Sequence, residues 1–157
     1  MSSVSPQQLT QRLFVAIPMA FAMGIGVSAW DGRTLCLSAP LAPNRNDKGT
    51  GFAGSLATLA TLAGWALATL LAEKLAGPCQ VAIFESELRY LRPVTGDFTA
   101  RCTVPDEVAC ERLSTTLRTR GRGRVALTVE VLQGDEVKVN FHGRYAVWKA
   151  DQRQAED

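Results

Sequence analysis

The sequence predicts an α+β fold, a curved antiparallel sheet of about six strands wrapped around one long apolar central helix. Three observations carry this expectation. From Phe52 to Leu75 the chain is a run of Ala, Leu and Thr that meets no charge until Glu73. At about 1.5 Å per residue such a run makes a helix roughly 30 Å long that has to be enclosed, because no face of it is polar enough to lie in water. On both sides of the run, apolar residues recur at the two-residue period of half-buried strands. Turn signals separate these segments, which favours antiparallel neighbours over parallel crossovers.

In chain order, Ser5-Pro6 reads as an N-cap followed by proline at the first helical position, and Leu9, Leu13 and Ile17 give an amphipathic helix over 5–17. Ile25, Val27 and Ala29 alternate, Asp31-Gly32 marks a turn, and Leu35, Leu37 and Ala39 alternate again, a strand pair. A polar turn from Asn44 to Ser55 leads into the central helix, predicted over 52–75. Gly77-Pro78 stops that helix. A long strand follows over 80–90, with Ala82, Phe84, Ser86, Leu88 and Tyr90 as its helix-facing set and Val81, Ile83, Glu85, Glu87 and Arg89 on the other face. Phe98, Ala100, Cys102 and Val104 mark the next strand. Residues 105–118, with Val108, Leu113 and Leu117 at loose helical spacing, read as a short helix or irregular segment. Two strands beginning at Val125 and Val137 close the sheet through Gln133-Gly134-Asp135, and a polar tail over 151–157 is expected to fray. The chain is expected to form a single domain over 1–157.

Composition removes several functional classes. With 46% hydrophobic and 20% charged residues the chain is globular, and a net charge of +2 is too small for a general nucleic-acid binder. The central run contains Ser55, Thr58, Thr61, Gly64 and Thr69, which weakens it as a membrane span. Gly49, Gly51 and Gly54 match the spacing of a dinucleotide-binding loop, but Pro40, Pro43 and a polar segment separate them from the preceding strand. Cys36, Cys79, Cys102 and Cys110 show no metal-binding spacing and read as free thiols in a reducing compartment. Residues 13–29 are apolar and end Val27-Ser28-Ala29, yet Pro18 and Gly24-Ile25-Gly26 break them, so they read as structure and not as a leader. A cytoplasmic protein without membrane or nucleic-acid partner, metal or resident cofactor is therefore expected.

The polar turn lies at the N-terminus of an enclosed helix, where unpaired backbone N–H groups and the positive end of the dipole are available to an anion or a polarised carbonyl. Together with the strand order and the turn Tyr90-Leu91-Arg92-Pro93-Val94-Thr95-Gly96-Asp97, this arrangement resembles the hotdog-fold thioesterases over nearly the whole chain. The stretch Asn44-Arg45-Asn46-Asp47-Lys48-Gly49-Thr50-Gly51-Phe52-Ala53-Gly54-Ser55 and the later Gly121-Arg122-Gly123-Arg124-Val125 are most similar to the thioesterase domain fused to some bacterial GNAT acetyltransferases, here expected to stand alone. The resemblance implies a homodimer, or dimer of dimers, that hydrolyses the thioester of an acyl-CoA or acyl carrier protein at the subunit interface, within fatty-acid metabolism. CoA or phosphopantetheine would then arrive as part of the substrate. In related proteins Asn-x-x-Gly-x-x-His-Gly-Gly opens the central helix and an Asp follows on it. Asn46, Gly49 and Gly54 agree with that pattern, while Phe52 stands at the His position and Thr61 at the Asp position. The missing His also disfavours a dehydratase or isomerase of the same fold.

Thioester hydrolysis asks for donors to the carbonyl oxygen and a group that activates water. Backbone N–H groups of Ala53, Gly54 and Ser55 are the candidate donors. Asn46 is a candidate to orient water or substrate, or else holds the turn. Asp47 is the candidate base, or else a cap of the helix or turn. Glu85 and Glu87 are held in reserve, with a solvated strand face as the alternative. Ser55 as a nucleophile would need a neighbouring base, so a packed helix serine competes with it. Lys48, Gly49 and Phe52 would border the substrate. Arg122 and Arg124, within the basic run Arg118, Arg120, Arg122 and Arg124, would hold CoA phosphates or an acidic carrier, or else form a solvated turn. His142 shares a strand face with Lys138, Asn140 and Arg144 and reads as a surface or interface residue. A non-catalytic acyl-CoA or acyl-carrier binder remains the alternative function.

Overall fold

The computed structural model describes residues 4–150; the tail expected over 151–157 lies outside them. Helix α1 spans Pro6–Ala16 and starts with a reciprocal cap. The Ser5 hydroxyl accepts from the Gln8 N–H at 3.2 Å while the Gln8 side chain accepts from the Ser5 N–H at 2.9 Å. Pro18 ends α1 and opens a one-turn helix, α2, over Pro18–Ala22, in a stretch for which the sequence pattern predicts no element.

Six strands form one antiparallel sheet in the order β1-β2-β4-β5-β6-β3. They are β1 Gly26–Trp30, β2 Thr34–Ala39, β3 Cys79–Tyr90, β4 Phe98–Thr103, β5 Arg122–Gln133 and β6 Glu136–Lys149. The β1–β2 turn is tied by Asp31, whose Oδ1 accepts from the N–H groups of Thr34 at 2.7 Å and Arg33 at 2.8 Å. Leu35, Leu37 and Ala39 then point inward as the alternation of β2 predicts. Helix α3, Ala53–Ala76, lies in the hollow of this sheet. It is long and apolar enough to cross a bilayer on composition alone, but it forms the core rod of the domain, with Leu59, Ala60, Ala63, Leu67, Ala68 and Ala72 fully enclosed. Burying each such leucine contributes about 1.5–3 kcal/mol. Tyr145 of β6 fills the notch at Gly64 and donates to the Thr61 carbonyl at 2.8 Å.

Several expectations need correction. The phase of β3 changes at a bulge between Ile83 and Glu85. Ahead of the bulge it is Cys79, Val81 and Ile83 that pack on the core, while Ala82 and Phe84 are exposed; the predicted helix-facing set holds only beyond it, where Leu88 packs inward. Lys138 is buried instead of solvated, because an irregularity in the β5–β6 pairing leaves it opposite no β5 residue, and its Nζ reaches Glu136 at 3.1 Å. Of the two readings for residues 105–118 the helix holds, as α4 over Glu107–Arg120, capped by Asp106; Leu113 and Leu117 are buried as their spacing says, but Val108 is exposed. The basic run is not one loop either. Gly121, at φ 71°, ends α4 after Arg118 and Arg120, and Arg122 and Arg124 already belong to β5.

The two edges of the sheet differ. The short β1 is shielded by α1, whose Thr10 hydroxyl accepts from the Val27 N–H at 2.9 Å. The twelve residues of β3 pair with β6 on one side and with no strand among the described residues on the other.

Candidate active site at the start of the central helix

The polar turn folds back on itself around Asn46. Its Oδ1 accepts from the N–H groups of Lys48 at 2.9 Å and Thr50 at 3.1 Å, and its Nδ2 donates to the Thr50 hydroxyl at 2.9 Å. Gly49 sits at φ 78°, a left-handed conformation that side chains disfavour. Asn44 is buried below, donating through Nδ2 to the carbonyls of Met23 and Pro40, both at 2.8 Å, with its Oδ1 unpartnered. The turn is then fixed to the rest of the molecule by Gly51 N–H to the Val94 carbonyl and Phe52 N–H to the Asn44 carbonyl, each 2.7 Å. A side chain at Gly51 would collide with Val94, whose Cβ would lie 2.9 Å away.

These ties deliver the chain to α3 with no cap. Phe52 occupies the N-cap position and offers no side-chain hydrogen bond, and the helix ladder begins with Leu56 N–H to the Phe52 carbonyl at 3.1 Å. The N–H groups of Ala53, Gly54 and Ser55 consequently have no protein acceptor among the described residues, at the positive end of a 24-residue helix. The Phe52 ring leans over Gly54, so close that a Cβ there would stand 2.5 Å from Cε1. Across the mouth, the Tyr90 hydroxyl donates to the Ala53 carbonyl at 3.3 Å. At the other end of the same pairing the Trp65 indole N–H donates to the Val81 carbonyl at 3.0 Å, so α3 runs antiparallel to the free β3 edge.

Phe52, Gly54 and Ser55 thus come together at the helix start, while Lys48 and Gly49 lie in the exposed turn ahead of it. The Asn46 amide is used by the turn, which is the structural one of its two readings. Asp47 is exposed at the tip of the turn and pairs with Lys48 at 3.0 Å; it does not cap the helix. Ser55 is buried, and among the described residues no histidine or carboxylate is hydrogen-bonded to it. Glu85 and Glu87 lie on the outer face of β3, with Glu85 paired to Arg144 at 2.8 Å and Glu87 in register with His142. Arg122 and Arg124 lie at the far end of the sheet. Arg124 is in register with Ala146 and Ala146 with Ala82, eight residues from Tyr90, or about 26 Å at the strand rise. His142 is exposed, its Nδ1 3.2 Å from the Thr128 hydroxyl.

All four cysteines are free. Burial pushes the Cys102 thiol up to about 12 and raises Cys36, Cys79 and Cys110 as well, so none is activated as a nucleophile. Among the described residues no three His, Cys, Asp or Glu side chains gather as a metal requires. An apolar cavity of about 80 Å³ opens between α1 and α3, bordered by Leu13, Trp65 and Leu70. It lies some eleven residues, or about 16 Å, down the helix from Gly54.

Residues 6–149 match the family described as "Putative thioesterase (yiiD_Cterm)". The chain belongs to this thioesterase-like family. A Chlorobaculum tepidum protein of unknown function is 31% identical, with a TM-score of 0.85 over 94% of this chain and 99% of its own. A "putative thioesterase" from Shewanella oneidensis is 32% identical, with a TM-score of 0.82 over 92% of this chain and 97% of its own. A "probable thioesterase" from Pseudomonas aeruginosa, 22% identical, shares the fold at a TM-score of 0.76 over 94% of this chain and 97% of its own. The architecture of this thioesterase-like chain is that of the hotdog fold.

Tyr90 and Val94 are the residues of the mouth that sequence reasoning missed. Tyr90 reads from the sequence as a strand position and, with Val94, as part of the Tyr90–Asp97 turn, and neither reads as a site residue. Nothing in the local spacing marks them: within the Tyr90–Asp97 turn only Val94 is buried, against Gly51, while Tyr90 and Leu91 stay about half exposed.

Proposed function

We propose that this chain is a thioesterase that hydrolyses an acyl-CoA or an acyl carrier protein thioester at the start of α3. The observation that carries the reading is the uncapped helix end, where three N–H donors meet no acceptor beneath an aromatic ring. A thioester carbonyl accepting from Gly54 and Ser55 would gain stabilisation as its oxygen becomes anionic, a term whose loss costs about 10²–10³ in rate. Water adds to the carbonyl carbon, its proton passing to Asp47 as general base. The C–S bond then breaks and the thiolate takes up a proton. Asn46 acts in this scheme by holding the turn that presents Asp47, and Lys48, Gly49 and Phe52 border the substrate.

The long free edge of β3 supports a homodimer, because exposed N–H and C=O groups on a twelve-residue strand invite pairing. Antiparallel pairing of two such edges would bring the beginning of one β3 beside the end of the other, and so beside the other copy's helix mouth. Glu85 and Glu87 would reach that mouth only around the edge, which leaves them in reserve behind Asp47. Four free thiols fit a cytoplasmic setting.

A second reading, an acyl-CoA or acyl-carrier binder without turnover, is favoured by Phe52 at the helix start and by the salt bridge that occupies Asp47. One experiment separates the two: thiol release from short, medium, long and aromatic acyl-CoA and from acyl carrier protein, for the wild type, Asp47→Ala and Asn46→Ala. Release that drops about 10²–10⁴-fold in Asp47→Ala supports hydrolysis with this base. Saturable binding with no release across the panel supports the binder and overturns the hydrolase.

A further inference from the structure

At the end of the sheet remote from the helix mouth, the chain builds a second concave site. Arg112, Thr116 and Arg120 follow one another at four-residue spacing on one face of α4, and Gly121 reverses the chain into β5. A Cβ at Gly123 would come within 2.5 Å of the Thr116 hydroxyl, so β5 lies flush against α4. Arg122 and Arg124 flank that contact. With Trp148, in register with Arg122 on β6, these residues border a cleft of about 810 Å³ that no carboxylate among the described residues lines. That volume falls within the range of about 300–1,000 Å³ typical of small-molecule sites.

Among the described residues Arg112, Arg120, Arg122 and Arg124 make no ion pair, and neither do Arg33, Arg45, Arg89 and Arg118, whereas Arg12, Arg92, Arg101 and Arg144 each have one; the first four are set apart by bordering one cleft. The C-terminal dipole of α4 accounts for Arg120 but for none of the other three. Arg124 is also held in place: its guanidinium stacks 5.0 Å from the ring centre of Phe84, the residue that the β3 bulge turns outward, and Arg144 lies over the same ring at 5.1 Å. Trp148 leaves 41% of its surface in solvent, an aromatic face beside forked donors. Guanidinium forks match phosphate oxygens and an indole face matches a purine. An extended nucleic acid fits less well, because Glu85 and Glu87 stand on the adjoining outer face of the sheet and the whole chain carries a net charge of only +2.

We propose that the cleft between α4 and the start of β5 binds a purine nucleotide with clustered phosphates, Trp148 stacking on the base and Arg112, Arg120, Arg122 and Arg124 holding the phosphates. The same chemistry is offered by the head group of CoA and by a free nucleotide. Binding here is read without turnover, so its failure and that of the hydrolase reading are separate events.

The test is calorimetric titration of the full chain with 3′,5′-ADP, ADP, adenosine and CoA, with tryptophan fluorescence followed in parallel. Saturable 3′,5′-ADP binding is expected, weakened at least tenfold in Arg122→Gln/Arg124→Gln and in Arg112→Gln/Arg120→Gln, with circular dichroism unchanged. CoA and 3′,5′-ADP binding alike, at least tenfold tighter than ADP, identifies the CoA head group; equal binding of ADP identifies a free nucleotide. No saturation by any of the four overturns the site, as does binding that both double substitutions leave intact. A single-stranded oligonucleotide that binds more tightly with length, and more tightly than 3′,5′-ADP, would also overturn it and make the cleft a nucleic-acid surface.

Discussion

Tyr145 occupies the space that a side chain at Gly64 would need, and from that position its hydroxyl donates to the Thr61 carbonyl of the same helix. The pair joins the middle of the sheet to the middle of the rod. Gly64→Ala forces the phenol aside and is expected to destabilise the protein by about 1–3 kcal/mol. Tyr145→Phe keeps the ring and loses only the hydrogen bond, for about 1 kcal/mol. Thermal unfolding of both variants checks this order, and a Gly64→Ala protein as stable as the wild type would show that the notch is not closed.

Asp31 gives a pH-dependent term with a defined sign. Hydrogen bonds from the Thr34 and Arg33 N–H groups hold its carboxyl below the ordinary value of 3.8. A depressed folded-state value means that the stabilisation is present above the unfolded-state value and is lost as pH falls through the folded-state one. Asp31→Asn should therefore melt below the wild type at pH 7, and the two curves should converge on acidification toward pH 2. A gap that stayed constant with pH would assign the effect to something other than the charge.

The β3 edge predicts association. Light scattering is expected to give two or four times the 16.9 kDa chain mass. Hydrogen exchange should find the β3 amides slow at high protein concentration and faster on dilution. A monomer with β3 amides exchanging freely at all concentrations would overturn the proposed homodimer.

Cys102 is fully enclosed and its thiol is pushed up to about 12, so it should resist iodoacetamide at pH 8 until denaturant is added. Cys36, Cys79 and Cys110 are partly exposed and should label first, slowly, because burial raises each of them too. Mass spectrometry of the modified chain resolves the sequence of events. Early labelling of Cys102 would mean that β4 opens on its own.

The sheet and the rod were legible in the sequence because each rests on a period repeated over many residues. Leu35, Leu37 and Ala39 point inward as their alternation says. The inward face of β3 was not legible, because one bulge at Phe84 inverts the phase and nothing in Ile83-Phe84-Glu85 announces it. Lys138 escaped for the same reason on β6. At the helix mouth the turn residues could be named from their motif, since Asn46 and Gly49 answer to local geometry. Tyr90 and Val94 arrive there from some forty residues away, and a side chain brought in by tertiary packing leaves no local spacing to read.

Phe52 and Gly54 allow the mouth itself to be tested without reference to any substrate. The ring rests where a Gly54 side chain would grow, so Gly54→Ala must displace it even though alanine is the better helix residue by about 1 kcal/mol. Phe52→Ala removes the obstruction. In the double variant the added methyl group fits, and the helix-propensity gain should emerge, making the pair more stable than Gly54→Ala alone with a coupling of about 0.5–3 kcal/mol. The same ring leans over Gly54 beside the three free N–H groups, and donors act more strongly where an apolar group displaces water. Phe52→Ala should accordingly slow thiol release while leaving the unfolding midpoint near that of the wild type. Stabilities that add to within about 0.3–0.5 kcal/mol would place the ring away from Gly54 and leave the helix end open to water.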